Sequence, residues 1–154
     1  MATFDDLDIL KSAESIADSI WKQVGLWDDF ARDVVGKQLT RAADSVGANI
    51  AESFGRYNFG EKLQFLYYAR GSLFETKYWL NRVQQRGLMK SNEVSQYVEN
   101  LTTLARQLNA FASGLKTVRA EQTAKKAVRE PAAEYVTSAS EPLFTEADLL
   151  FIAA

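Results

Sequence analysis

The sequence predicts an all-α fold: an antiparallel up-down four-helix bundle with a C-terminal tail that has the makings of a short helix. Three observations carry this reading. Apolar residues recur at helical spacing through four long segments, no proline occurs before Pro131, and strand-like alternation is nowhere sustained. The breaks between the four segments are only a few residues long, and short connections make consecutive helices antiparallel neighbours.

The first helix is expected over about residues 6–24, from the stripe of Leu10, Ala13, Ile16, Ala17, Ile20, Trp21 and Val24, with Gly25 as its C-terminal stop. The second runs over about 28–54, with Asp28, Asp29 and Asp33 at its positive N-terminal end. GRYNFG, residues 55–60, reads as a turn. Leu63, Leu66, Tyr67, Arg70, Leu73, Phe74, Lys77, Tyr78 and Leu80 define the third helix, which stops near Gly87. Ser91 is the expected N-cap of the fourth, whose stripe is Val94, Val98, Leu101, Leu104, Leu108, Phe111 and Leu115. Residues 1–118 thus form the bundle. Residues 119–154 comprise a helix extension (AEQTAKKAVRE), a linker (PAAEYVTSASEP) and an apolar terminal segment. In that segment Thr145 is a credible N-cap, with Phe144 and Leu149 spaced as a hydrophobic staple. Leu143, Phe144, Leu149, Leu150, Phe151 and Ile152 would expose an apolar patch if left free, so residues 143–152 are expected to dock as a short helix on their own or a neighbouring subunit, the competing expectation being a peptide that a partner recognises.

The chain of 154 residues contains neither histidine nor cysteine. That excludes the usual zinc sites, di-iron sites built on Glu-x-x-His, and Ser-His or Cys-His nucleophiles. No metal, cofactor or catalytic residue is expected. No apolar run reaches the roughly 20 residues of a membrane span, and the acidic start MATFDDLDIL lacks the order of a signal peptide, so a cytoplasmic protein is expected. Charge is segregated. Residues 1–33 carry eight acidic and three basic side chains, residues 34–90 nine basic and four acidic, and residues 131–154 four acidic and none basic. Such segregation suits complementary faces, within one subunit or between subunits.

Within the second helix, RAADSVGANIAESFGR replaces large apolar side chains with small and polar ones. Arg41, Ser45, Asn49 and Glu52 lie along one flank, and Arg56 follows; Arg70, Ser72 and Glu75 sit on the third helix. The expectation is a structural polar cluster that fixes helix register, with Glu52 and Arg70 a buried pair and Asn49 tying backbone groups between helices. Gly36, Gly47, Gly71 and Gly114 inside helices suggest close backbone approach.

These residues carry a resemblance. QLTRAADSVGANIAESFGR followed by FLYYARGSLFETKYWL resembles the four-helix-bundle family of proteins encoded in 23S rRNA intervening sequences, related to accessory proteins of diversity-generating retroelements. The likeness covers about residues 7–116. Arg41, Ser45, Asn49, Ile50, Ala51, Glu52, Gly55 and Arg56 fit its first block, and Ala69, Arg70, Gly71, Ser72 and Glu75 its second. Ser53 stands where glycine is usual and Gly47 where proline is frequent. The resemblance implies a homopentamer with no established enzymatic activity. The retroelement branch is strongly basic and binds nucleic acid and a reverse transcriptase, whereas this chain has a pI near 5.3.

The expected function is therefore a non-enzymatic oligomeric scaffold or adaptor for a macromolecular partner, with a protein favoured over nucleic acid. Trp21, Trp27, Trp79 and Phe59 exceed what one bundle core readily absorbs, which supports self-association. Candidate phosphate contacts are Lys37, Arg41, Arg56, Lys62, Lys77, Arg82, Arg86 and Lys90. The alternative is a small-molecule-binding protein or carboxylate-dependent enzyme with an inter-helix pocket at Glu52, Glu75 and Arg70.

Overall fold

The computed structural model describes residues 4–129 and 141–154. Its elements are α1 (Phe4–Val24), a continuous α2 from Asp29 to Gly55, α3 (Phe59–Gln85), α4 (Ser91–Arg129) and the short α5 (Glu146–Ala153). No strand occurs among the described residues. α2 packs on α1 and α3, and α4 packs on α3 and α1, closing a ring of four helices. α5 lies against α4. The extension expected beyond residue 118 continues α4 to Arg129. Most of the expected linker, residues 130–140, falls outside the described residues.

Local chemistry sets the helix ends. Asp28 accepts the Ala31 N–H at 2.9 Å and Asn58 the Glu61 N–H at 2.7 Å, each satisfying a donor that the first turn leaves orphaned. α3 ends at Gly87, whose φ of +72° suits glycine and lets Leu88 N–H reach back to the Val83 carbonyl at 3.0 Å. Ser91 is not the cap of α4. Val94 N–H bonds the Lys90 carbonyl, so Lys90 holds the cap position, and the Glu93 carboxylate accepts the Lys90 N–H at 2.9 Å.

The core is the expected stripes brought together, with Ile20, Leu39, Ile50, Leu66, Leu73, Leu80, Leu101, Leu104 and Leu108 fully buried. A hydrogen bond of 2.7 Å between Ser19 and the Tyr97 hydroxyl ties α1 to α4.

α2 is not a uniform α-helix. Arg32–Gly36 form a π-helical turn, in which Lys37 N–H bonds the Arg32 carbonyl five residues back. A β-carbon on Gly36 would lie 2.6 Å from Val24 Cγ1, so here α2 meets α1 too closely for any side chain. The other three helical glycines do not mark close approach. Gly47 would make only ordinary contact with Ala13, and Gly71 and Gly114 have nothing within 4 Å.

Candidate functional site

The polar residues of α2 and α3 do not form one cluster. The buried face of α2 is Leu39, Ala42, Ala43, Val46, Ile50 and Ser53, which leaves Arg41, Ser45, Asn49 and Glu52 on the flank and outer side. Glu52 is exposed and pairs with Arg56 one turn along, so the expected buried pair with Arg70 is not made. Arg56 also lays its guanidinium 4.4 Å from the centroid of the Phe65 ring. Asn49 donates to the Ser45 carbonyl at 2.8 Å, inside its own helix rather than between helices. Ser72 is half-buried, and its carbonyl accepts the Thr76 hydroxyl at 2.8 Å. Glu75 is exposed and accepts the Trp79 indole N–H at 3.3 Å. Glu52, Glu75 and Arg70 each face a different partner, so the carboxylate pocket imagined for them has no convergent geometry.

Ser53, the departure from the family's glycine, is wholly buried and donates its hydroxyl proton to the Ile50 carbonyl at 2.7 Å. Toward the other end of α2, Arg41 is exposed in an open groove with Lys37, Thr40 and Asp44. Burial first, and then the negative charge of Asp18, raise the Asp44 carboxyl above its ordinary range.

The candidate phosphate contacts divide in the same way. Lys62 donates to the Ser53 and Phe54 carbonyls, both at 3.2 Å, and so caps the negative end of α2. Arg56 is occupied by Glu52. Arg82 is half-buried, with its guanidinium 6.0 Å from the Tyr78 centroid. Lys77 is 3% exposed and offers no surface charge. That removes it from any nucleic-acid face: residue 77 falls on the α3 stripe that also buries Leu73, Thr76 and Leu80. Lys37, Arg41, Arg86 and Lys90 are exposed, with Lys37 3.9 Å from Asp33.

A further set of contacts gathers at the C-terminal segment. Leu143, Phe144, Leu149 and Ile152 are buried, whereas Leu150 and Phe151 are exposed. Phe144 stacks on Phe74 at 6.1 Å between centroids, and Phe151 leans on the same ring at 5.8 Å. Asn109 of α4 grips the Phe144 backbone with both ends of its amide, accepting the N–H at 2.6 Å and donating to the carbonyl at 2.8 Å. Lys116 donates to the Glu141 carbonyl at 2.5 Å. Arg70, 4.8 Å above Phe74, donates to the Asp148 carboxylate at 3.2 Å. Thr145 and Asp148 complete a capping box at the start of α5.

Burial pushes the Asp148 carboxyl up, but hydrogen bonds from the Thr145 backbone, Arg70 and the Thr145 hydroxyl outweigh it and hold the carboxyl below its ordinary range. Sequence reasoning missed Asn109 and Asp148. Asp148 was legible as the N3 residue after Thr145. Asn109 gave only the signal of an amide beside the apolar stripe of α4.

A family model described as 23S rRNA-intervening sequence protein matches residues 5–110. No curated protein matches the chain.

Proposed function

The chain belongs to the 23S rRNA-intervening sequence protein family, and on that footing we propose that it is a non-enzymatic oligomeric scaffold that presents a surface to a macromolecular partner. The observation that carries this is the corner between α1 and α2. Trp21 is 66% exposed there, Leu26 84% and Phe30 78%, with Val34 one turn beyond Phe30. Large apolar side chains gathered on consecutive turns mark an interaction surface, because soluble proteins rarely leave such groups in water. The outer face of α3 adds exposed Tyr67, Tyr68 and Tyr78, and aromatics of this kind are enriched at interfaces.

The α1–α2 corner serves self-association, with five copies as the favoured closed ring, and the tyrosine face of α3 remains for a protein partner. A cytoplasmic location fits this role; no described helix is long and apolar enough to cross a membrane. Light scattering on the full chain at micromolar concentration is the test. The expected mass is about five times the 17.2 kDa of one chain, and Phe30→Glu should dissociate the assembly. A stable monomer overturns the scaffold reading.

Nucleic acid is the second reading, favoured only by exposed Lys37, Arg41, Arg86 and Lys90. It demands sequence-tolerant binding that falls steeply with salt. Filter binding with RNA at low salt tests it, and no retention at micromolar protein leaves the protein partner alone.

A further inference from the structure

Among the eight candidate phosphate contacts, Lys77 alone is buried. It is 3% exposed and has no hydrogen bond or ion pair among the described residues. The ammonium itself is not sealed off: it reaches the groove beside it, where a cation without a protein partner is free to hold an anion. Its surroundings are roomy. Lys77 and Asn81 on α3, Val98 and Thr102 on α4, and Ala153 at the end of α5 line a cavity of about 330 Å³. At about 30 Å³ per water-sized unit, that is space for roughly ten non-hydrogen atoms.

We propose that this cavity binds a small aliphatic monocarboxylate, with its carboxylate on the Lys77 ammonium and its chain against Val94, Val98 and Ala153. Each part of that assignment has a reason. One cation calls for one negative charge. Glu99, exposed on the cavity wall, repels any anion, but a doubly charged one such as phosphate about twice as strongly as a monocarboxylate. The Asn81 amide and Thr102 hydroxyl can supply further hydrogen bonds to a carboxylate, while the valines offer nothing polar and suit methylenes. Burial lowers the Lys77 ammonium from its ordinary value, a burden that an anion beside it relieves. Because the end of α5 forms one wall, an occupied cavity also holds the C-terminal segment in its docked place.

The test is a titration of the full chain, methyl-labelled at valine, with hexanoate, its uncharged analogue hexanamide, and inorganic phosphate. Hexanoate should shift the Val94 and Val98 methyls saturably and slow amide exchange in residues 149–153. Hexanamide should bind far more weakly. Lys77→Met should weaken hexanoate by roughly thirtyfold or more, the usual loss when one partner of a buried charge pair is removed. Ser95→Trp, which leaves Lys77 in place and plugs the cavity from an exposed position, should do the same. Lys37→Gln, on the surface of α2, should change nothing. The proposal is overturned by no saturable shift at tens of millimolar hexanoate, by equal binding of hexanamide, or by hexanoate binding that survives both Lys77→Met and Ser95→Trp. Tighter binding of phosphate than of hexanoate overturns the monocarboxylate assignment.

Discussion

Arg56 and Arg70 each lay a guanidinium against a phenylalanine ring and each reach a carboxylate, yet Arg56 fastens a helix end to itself while Arg70 fastens the C-terminal segment to the bundle. The partner of Arg56 is four residues away; that of Arg70 is 78 away. Apart from Lys62 reaching over from α3, the polar contacts at the end of α2 are local and face water, so the helix would persist without them. At the α5 dock they cross between elements, and each ordered contact supplements buried phenylalanine and leucine. The chemical kit is the same in both places. What differs is whether breaking it frees any apolar surface.

The comparison is most severely tested at Phe144. Phe144→Ala should remove about 3–5 kcal/mol of docking free energy, the range for a buried phenylalanine. Amide exchange in residues 143–152 should then become fast while α4 from Val94 to Leu108 stays protected. Loss of protection throughout the bundle would mean that the dock is part of the core and not an addition to it.

Next in size is Asn109→Ala, which strands the N–H and carbonyl of Phe144 and should cost about 1–3 kcal/mol by the same measurement. Third come the arginines themselves. Arg70→Ala should cost about 1–2 kcal/mol, discounted because both side chains of its ion pair keep some contact with water. Arg56→Ala should cost only about 0.3–0.5 kcal/mol, as for exposed pairs four residues apart. In double-mutant cycles Arg70 should couple to Asp148 and be additive with Glu52.

The smallest effect is one of pH. The folded Asp148 carboxyl lies below its ordinary 3.8, so its contribution to docking is present above that value and is lost as pH falls through the lowered one. Exchange rates of α5 should be flat near neutrality and rise below about pH 4. Asp148→Asn should lessen that dependence.

The bundle was legible because its signal is periodic. Leu39, Val46 and Ile50, or Leu101, Leu104 and Leu108, recur often enough that each confirms the next, and Asp28 announces a helix start by its type, whereas Asn58, read as part of a turn, turns out to cap α3. The π turn was not legible. It ends at Gly36, where α2 meets Val24 of another helix, and one glycine looks like the other three. The Glu52–Arg70 expectation failed for a related reason. A flank beside the buried stripe can face a neighbouring helix or solvent, and spacing alone does not distinguish the two. Arg70 did need a partner, but the partner lay in the segment furthest along the chain, where one carboxylate among four had to be chosen. Lys77 was misread because residue type was given more weight than its place on the α3 stripe.

The position of α5 also has a consequence in time. A ribosome adding about 5–20 residues each second makes residues 130–153 over roughly one to five seconds after α4 is complete. α5 is the last element made, so until it has emerged Phe74 and the amide of Asn109 lack their covers. The newborn bundle therefore carries an adhesive strip at the moment when sister chains on the same message are nearest. Docking of α5 acts as a delayed seal, and a variant that slows it should show its defect first as clumping during synthesis, before any loss of stability in the finished protein.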